Sequence, residues 1–300
     1  MIVESILDMI GNTRLVSLKK LSGKNIYAKA EFLNPGGSIK DRIAKHMLDV
    51  AEHQGLLKPG MTIMEPTSGN TGIGIALAGT QKGYEVIIVM PENMSEERKK
   101  IIKALGAKLI LTPAEESVDG TIVEVERQAT GNPNIYVPNQ FKNPANPQVH
   151  YETTAPEIWE QTGGKVDIFV SGLGSGGTLQ GVGKYLKEKN PNVIIVAVEP
   201  KNVSALLGHE PGFHKIQGIG DGFVPDVLDT SLIDVVVEVT DDDAVAITRK
   251  IAKVCGYLVG TSSGANVYAS ELMCDKFGSD KHVVTILPDR AERYFSTSLI

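Results

Sequence analysis

The sequence predicts an α/β protein with two domains, each built on a twisted, mainly parallel β-sheet that helices flank. Strand-like runs rich in β-branched residues alternate with segments in which apolar residues recur at helical spacing. Such alternation implies crossover connections, which place strands parallel and cover the sheet with helices. A stretch rich in proline and asparagine at residues 138–147 interrupts the pattern and marks an internal boundary.

The strands are predicted from short apolar or alternating runs that glycine, proline or asparagine residues bound. They cover residues 26–32, 61–65, 84–90, 108–112, 134–137, 167–171, 193–198, 235–239 and 282–287. Ligands of such sheets bind beyond the carboxyl ends of the strands. The loops that follow residues 32, 65 and 171 are therefore the candidate functional loops.

The helices are predicted from apolar residues at helical spacing and from their ends. The segment 95–105, for example, has Glu96 and Glu97 in its first turn and Gly106 after its last, which suits the helix dipole and a glycine C-cap. The predicted helices follow Asp41, surround Trp159, and cover residues 73–81, 95–105, 120–130, 178–188 and 241–254. Residues 201–226 are predicted to be irregular.

Composition narrows the class of protein. The 300 residues suggest about two domains, and 42% apolar with 22% charged residues is typical of a globular protein. The net charge of −6 without a basic block argues against nucleic-acid or membrane partners. Because the N-terminus lacks a basic segment followed by an apolar one, we expect a cytoplasmic protein. We expect Cys255 and Cys274, in helix-like patterns, to be buried thiols, and no metal site.

Lys40 lies where a glycine-rich turn meets a helix. Pro35, Gly36 and Gly37 end the preceding strand, and the helical pattern begins after Asp41. A helix N-terminus disfavours an ammonium group, and a lysine that loses its proton readily is a better nucleophile for a Schiff base. The alternative is a solvated lysine in a first helical turn.

The loop 172–178 has the pattern of a phosphate site. It follows a strand and opens a helix, so its backbone N–H groups, the helix dipole and the Thr178 hydroxyl can bind an anion. The glycines also fit the dinucleotide fingerprint, with Glu199 about where a ribose-binding acid is expected. This segment alone leaves a nicotinamide cofactor and pyridoxal phosphate open, with a tight structural turn as the third alternative.

The loop 67–71 offers a second anion site at another helix N-terminus. Thr67, Ser68, Asn70 and Thr71 surround Gly69 with hydroxyl and amide groups, which suit a small carboxylate. The alternative is a polar loop that merely caps the helix. A dinucleotide-binding fold has no evident need for this second site.

Taken together, these motifs resemble the cysteine synthase family, which comprises the O-acetylserine sulfhydrylases and the catalytic cores of the cystathionine β-synthases. The resemblance covers essentially the whole chain in family order. The motifs that carry it are Asn34-Pro35-x-x-Ser38-Ile39-Lys40, Pro66-Thr67-Ser68-Gly69-Asn70-Thr71-Gly72 and Gly174-Ser175-Gly176-Gly177-Thr178, supported by residues 139–147, 215–220 and 292–294.

The resemblance implies a tryptophan-synthase-β fold, called fold type II among pyridoxal-phosphate enzymes. The larger domain, residues 1–35 plus 146–300, would bind the cofactor phosphate, and the smaller domain, residues 36–145, would move and bind the substrate carboxylate. Lys40 would carry pyridoxal 5'-phosphate and act as the base. The implied cofactor contacts are Asn70, Gly174, Ser175, Gly176, Gly177 and Thr178, and the implied substrate contacts are Thr67, Ser68, Thr71, Gln140, Gly218 and Gly220.

Two positions depart from the family pattern. Asp221 follows Gly218-Ile219-Gly220, where the synthases usually have a small or aromatic residue, and a carboxylate there would repel hydrosulfide and could act as a base. The alternative is that Asp221 only stabilises a turn between glycines. The second departure is the segment 288–292, where the synthases commonly present a serine to the pyridine nitrogen of the cofactor. Here Asp289 is the nearest polar candidate for that contact. The alternative is that Asp289 faces away from the ring and another hydroxyl makes the contact.

The expected function is β-replacement on a serine- or cysteine-type L-amino acid through an aminoacrylate, as in the synthesis of L-cysteine from O-acetylserine and sulfide. An alternative is release of sulfide from L-cysteine by water, giving L-serine, or by a second thiol, with Asp221 as base. Other classes are an NAD-dependent dehydrogenase and a non-catalytic binding protein. The resemblance also suggests a homodimer and a serine acetyltransferase tail as a partner.

Overall fold

Two β-sheets form the framework of the computed structural model, which describes residues 2–67 and 69–297. Helices flank both sheets, and all strand pairs except one are parallel. The α/β fold class predicted from the alternation of strand and helix patterns is confirmed. No helix of the described residues is long and apolar enough to span a membrane.

The larger sheet has six strands in the order β1-β2-β10-β7-β8-β9. Only β1 and β2 are antiparallel. The strands are β1 (Leu15–Ser17), β2 (Ile26–Ala30), β7 (Ile168–Gly172), β8 (Ile194–Pro200), β9 (Val235–Val239) and β10 (Val283–Leu287). Every residue of β10, between β2 and β7, is buried, as expected for a central strand of a parallel sheet.

The smaller sheet has four parallel strands in the order β5-β4-β3-β6. They are β3 (Thr62–Pro66), β4 (Glu85–Pro91), β5 (Lys108–Thr112) and β6 (Ile135–Tyr136). All four lie within residues 36–145, the segment predicted to form the smaller domain. That this segment moves as a separate domain stays a prediction.

Ten α-helices occur in the described part of the chain. They are α1 (Lys19–Ser22), α2 (Lys40–His53), α3 (Asn70–Gln81), α4 (Glu96–Ala104), α5 (Ser117–Ala129), α6 (Ala145–Val149), α7 (Ala155–Gln161), α8 (Gly177–Lys189), α9 (Asp241–Cys255) and α10 (Thr261–Phe277). A π-helical turn, His150–Thr154, joins α6 to α7.

Most predicted elements are present, with ends displaced by a few residues. β5 and β9 have the predicted bounds, and residues 201–226 contain no helix or strand. The predicted strand 26–32 is wrong at its end, because the chain enters a 3₁₀ turn at Glu31–Leu33. β1, α1, α6 and α10 lie outside the predicted elements. Cys274 is buried as expected, whereas Cys255 is only half-buried.

Each sheet has its own apolar core. On the larger sheet, alternate residues of β7 enter opposite layers: Ile168 and Val170 pack with α9 and α10 residues, and Phe169 packs with α8 residues. On the smaller sheet, Ile63 and Ile88 pack with α2 and α3 residues. Complete burial of each such side chain stabilises the fold by about 1.5–3 kcal/mol. These layers hold the carboxyl ends of β2, β3, β7 and β10 in fixed positions.

Candidate active site

Lys40 is the first residue of α2 and follows a turn that several contacts fix. Gly37 adopts a positive φ of 80°, which favours glycine. The Arg293 guanidinium donates hydrogen bonds to the carbonyls of Gly36 and Gly37, and the Ile39 N–H donates to the Pro288 carbonyl at 2.8 Å. The turn before Lys40 is thus bound to the segment that follows β10.

The Lys40 amine points to the glycine-rich loop after β7. Its Nζ donates to the Ser175 Oγ at 3.3 Å, and the residue is half-buried. Burial lowers the pKa of Lys40, and the charges of Asp221 and Asp289 oppose that effect. The predicted lowering of the pKa is confirmed, although burial is its largest cause. The amine faces this loop rather than open solvent, and its role as the cofactor-binding lysine stays a prediction.

The loop 172–178 is packed so closely that side chains would not fit at two of its glycines. A Cβ at Gly177 would lie 1.9 Å from the Asn146 Oδ1, and one at Gly174 would lie 2.5 Å from the Gly218 carbonyl oxygen. Gly176 has a positive φ of 80° before α8 begins. The loop therefore exposes backbone at a helix N-terminus, a site that favours a phosphate group.

Two buried side chains behind this loop hold its hydroxyl groups. The Asn146 Nδ2 donates to the Ser175 Oγ at 3.1 Å. The His150 Nε2 lies 3.4 Å from the Thr178 Oγ1, and its Nδ1 lies 2.9 Å from the Thr154 Oγ1. Burial, followed by the charges of Arg42 and Lys40, lowers the pKa of His150 well below its usual value. His150 is therefore neutral and orients hydroxyl groups without adding charge.

The loop after β3 brings together the residues expected to bind a carboxylate. The Thr67 Oγ1 accepts from the Gly69 N–H at 3.1 Å, which leaves its own proton for a ligand. The Thr71 hydroxyl donates to the Gln140 Oε1 at 2.7 Å, so the Gln140 amide keeps its N–H donors. Ser68, also predicted here, lies outside the described residues.

Asn70 and Asp289 meet beside Lys40. The Asn70 Nδ2 donates to the Asp289 Oδ2 at 2.6 Å, and the Tyr294 hydroxyl donates to the same oxygen. The Arg98 guanidinium lies 5.0 Å above the centre of the Tyr294 ring. The Asn70 Oδ1 and Asp289 Oδ1 are buried without a partner among the described residues. Two buried polar atoms of this cluster thus lack a hydrogen-bond partner, and the charge of Asp289 acts on Lys40.

Asp221 lies on the wall of the cleft. Its side chain is accessible to solvent, yet the protein around it raises the pKa of the carboxyl by desolvation, and the charges of Lys40 and His214 oppose that shift. The loop that carries it rests on the phosphate-type loop, because the Gly220 N–H donates to the Leu173 carbonyl at 3.0 Å. Gly218 and Gly220 both have positive φ angles. The Asp221 carboxyl is thus near enough to Lys40 for the two charges to interact.

Glu199 does not have the role that the dinucleotide alternative assigned to it. Its carboxylate is buried and accepts hydrogen bonds from the Ser204 hydroxyl and from the N–H groups of Ala205 and Leu206. It thus binds the chain that follows β8 rather than a ribose. This correction removes one of the two sequence features that favoured a nicotinamide cofactor, the glycine pattern being the other.

Sequence reasoning missed His150 and Glu65 as residues near the site, and placed Asn146 and Tyr294 only within supporting stretches. They act through contacts with residues distant in the chain, such as that of Asn146 with Ser175, 29 positions later. A buried polar side chain has no periodic signature. The nearest signal was the density of asparagine and proline at 138–147.

Comparison with known proteins agrees with this geometry. The family model for pyridoxal-phosphate-dependent enzymes matches residues 6–289. A cysteine synthase of Staphylococcus aureus is 48% identical over 99% of this chain and 97% of its own length.

Solved structures are similar over the whole fold. A cysteine synthase of Entamoeba histolytica superposes with a TM-score of 0.96 at 43% identity, covering 100% of this chain and 91% of the other. A hydrogen sulfide-producing enzyme of Fusobacterium nucleatum superposes with a TM-score of 0.94 at 40% identity, covering 98% of this chain and 100% of the other.

Proposed function

Because this chain belongs to the family of pyridoxal-phosphate-dependent enzymes, we propose that it replaces the β-substituent of a serine- or cysteine-type L-amino acid, as a cysteine synthase does. The observation that carries the proposal is the 3.3 Å contact between the Lys40 amine and Ser175 in the glycine-rich loop. An amine and an anion site so close together suit an aldehyde cofactor that carries a phosphate.

The residues present fit pyridoxal 5'-phosphate. Glycine backbone that leaves no space for a Cβ at Gly174 and Gly177 suits the phosphate, with the hydroxyls of Ser175 and Thr178 beside it. The unpartnered Asn70 Oδ1 and Asp289 Oδ1 suit polar groups of the ring. In our proposal, Gly174, Ser175, Gly176, Gly177 and Thr178 hold the phosphate, Asn70 contacts the ring hydroxyl and Asp289 contacts the pyridine nitrogen. When bound, the cofactor supplies an electron sink that makes the α-hydrogen acidic.

Lys40 has two roles in this proposal. Its Nζ would hold the cofactor, and as a free amine it would accept the α-proton of the substrate. The lowered pKa of Lys40 supports both roles, because a neutral amine is needed for each. The negative charges of Asp221 and Asp289 oppose this lowering of the Lys40 pKa. The Lys40 amine can therefore still hold a proton and donate it back to the substrate.

The loop 67–71 and Gln140 bind the substrate α-carboxylate. The Thr67 hydroxyl, the Gln140 amide and the Thr71 backbone N–H supply donors at the N-terminus of α3, where the helix dipole also favours an anion. In this proposal the backbone of Gly218 and Gly220 passes close to the bound amino acid, and Ser68 is a further contact that the family resemblance implies. Binding there would draw residues 36–145 towards the larger domain and exclude water from the reacting atoms.

The experiment that tests this function compares two substrate sets on the purified holoenzyme. Formation of L-cysteine from O-acetyl-L-serine and sulfide supports cysteine synthesis. Release of sulfide from L-cysteine alone supports the alternative reaction, in which L-cysteine is the substrate. If neither reaction proceeds and no amino acid perturbs the cofactor absorbance, the proposed function is wrong.

A second candidate function rests on Asp221. Its carboxyl lies at the cleft near Lys40, and the raised pKa suits a group that accepts a proton from water or a thiol. The enzyme would then take L-cysteine, expel sulfide, and add water to give L-serine or add a second thiol. Similarity to the hydrogen sulfide-producing enzyme of Fusobacterium nucleatum supports keeping this candidate.

The resemblance to cysteine synthases also supports three statements about the protein in its cell. We propose that it is a cytoplasmic homodimer and that the carboxyl-terminal tail of a serine acetyltransferase binds in its cleft. The terminal carboxylate of such a tail would occupy the site formed by Thr67, Thr71 and Gln140. Light scattering of the purified protein, with and without a peptide that ends in a free carboxylate, tests the dimer, and displacement of the peptide by substrate tests the shared site.

A further inference from the structure

A buried carboxylate adjoins the residues that we assign to the substrate carboxylate. Glu65, two residues before Thr67, is 1% exposed near the end of β3. Its Oε2 accepts from the Asn139 N–H at 2.9 Å, and its Oε1 accepts from the Gln140 N–H at 3.4 Å. One side chain therefore connects the strand that leads into the loop 67–71 with the segment that carries Gln140.

Among the described residues, no cation pairs with Glu65. Burial raises the pKa of Glu65 to about 7, while the two backbone hydrogen bonds lower it. Tyr136 on β6 is the titratable group that faces it, since the charge of Glu65, after burial, raises the pKa of Tyr136. The residue of β4 that pairs with Glu65 is Ile88, which carries no charge. An unpaired carboxylate in such a place costs stability, which points to a functional reason for its presence.

The segment that Glu65 holds, residues 139–140, has a strained backbone and is linked to both the loop 67–71 and the glycine-rich loop 172–178. Asn139 has a positive φ of 53°, uncommon for a residue with a side chain. The Gln140 side chain accepts from Thr71, and its carbonyl accepts from the Asn146 Nδ2 at 2.8 Å. Asn146 in turn donates to Ser175. Displacement of Gln140 would thus separate it from Thr71 and disturb the contact with the phosphate-type loop.

We propose that Glu65 is a positioning residue for recognition of the substrate carboxylate: its ionised side chain fixes Gln140 against the loop 67–71, so affinity for carboxylates falls when Glu65 is protonated or replaced. This inference rests on the proposed function, because it presupposes that Thr71 and Gln140 bind the carboxylate. It predicts that binding, rather than the chemical step, responds to Glu65.

The test uses propionate, a carboxylate without an amino group that cannot displace Lys40. Wild-type and Glu65→Gln holoenzymes are titrated with propionate while cofactor fluorescence is followed. The variant loses a hydrogen bond to a charged acceptor, and we expect its Kd to rise about tenfold. In the wild type the Kd should rise as the pH falls through about 7, whereas in Glu65→Gln it should stay flat.

Asp234→Asn is the matched control. Asp234 also accepts a backbone N–H, that of Ile195 at 2.7 Å, but it lies at the amino end of β9, away from the loops that follow the strands. We expect this variant to keep the wild-type Kd and its pH dependence.

Each outcome bears on the inference. An unchanged Kd in Glu65→Gln, or tighter binding of propionate by the wild type at low pH, overturns the role of Glu65 while the proposed function stands. If wild-type holoenzyme binds neither propionate nor an amino acid, both are overturned. Since the pH profile of the wild type needs no variant, poor folding of Glu65→Gln leaves the test decisive.

Discussion

The Nζ of Lys40 lies 3.3 Å from the Oγ of Ser175, although 135 residues separate them along the chain. The contact exists because β2 and β7 both neighbour β10, so the segments that follow them meet at the same edge of the sheet. A lysine of lowered pKa is thereby placed against a loop suited to a phosphate.

Replacing Lys40 by Ala should reduce turnover by at least about 10³-fold, because the variant loses both the covalent bond to the cofactor and the base. The cofactor absorbance of the purified protein should be lost as well. Lys45→Ala is the control, since Lys45 lies in the next turn of α2 and pairs with Asp49 at the surface. Full activity in Lys40→Ala would remove the basis of the proposed mechanism.

Asp221→Ala should distinguish the two candidate reactions. If Asp221 is the base for the incoming nucleophile, release of sulfide from L-cysteine should fall about 10²-fold or more, while synthesis of L-cysteine from O-acetyl-L-serine and sulfide should persist. Steady-state assays of both reactions measure the difference. Asp226→Ala controls for charge on the same loop, because Asp226 is exposed and 3.9 Å from Lys142. Equal effects on both reactions would assign Asp221 a structural role.

Asp41 should make stability depend on pH. Burial raises the pKa of its carboxyl from 3.8 to about 7, so the folded state holds a proton that the unfolded state releases. The contribution of protonated Asp41 to the free energy of unfolding is complete below pH 3.8 and is lost as the pH rises through about 7. The total loss is ~4 kcal/mol.

The variant Asp41→Asn should therefore be more stable than the wild type at pH 8, and this advantage should be smaller at pH 5. Denaturant unfolding of both proteins at pH 5 and pH 8 measures the difference. An identical pH dependence in the two proteins would show that Asp41 does not titrate in this range.

The buried ion network next to Lys40 should be sensitive to loss of one member. The Arg42 guanidinium donates to Glu31 at 2.8 Å and to Glu157 at 2.7 Å, which joins α2 to the turn after β2 and to α7. Glu31→Gln leaves Glu157 as the single counterion of two buried cations, Arg42 and Lys29, and should lower the free energy of unfolding by about 3–5 kcal/mol. Glu124→Gln, which breaks a pair with an exposed arginine, should cost at most about 1 kcal/mol. Similar losses in both variants would contradict this account.

The sequence predicted elements whose patterns are local. β5 and β9 have the expected bounds because their apolar runs end at clear turn residues, and α2 begins beside Gly37 as the glycine turn indicated. In contrast, α10 has no one-sided apolar pattern, since Ser263 and Asn266 are buried with its apolar residues. β1 has only three residues, too few for a periodic signal.

The candidate site was predictable where motifs carried it and not where the fold brings distant residues together. Lys40, Asn70 and the glycines of the loop 172–178 stand at strand ends, a position that sequence patterns reveal. The contact of His150 with Thr178 depends on a π-helical turn, which has no sequence signal of its own. Likewise, Glu65 looks like an ordinary strand residue until its contacts with Asn139 and Gln140 are seen.

The central claim is that Lys40 holds the cofactor covalently. Borohydride reduction of the holoenzyme, followed by proteolysis and peptide mass spectrometry, tests it most directly because reduction fixes the cofactor to the lysine that carries it. We predict a phosphopyridoxyl group on the peptide that contains Lys40 and on no other lysine. A label on a different lysine, or an unmodified Lys40 peptide from enzyme that still contains the cofactor, would contradict the account.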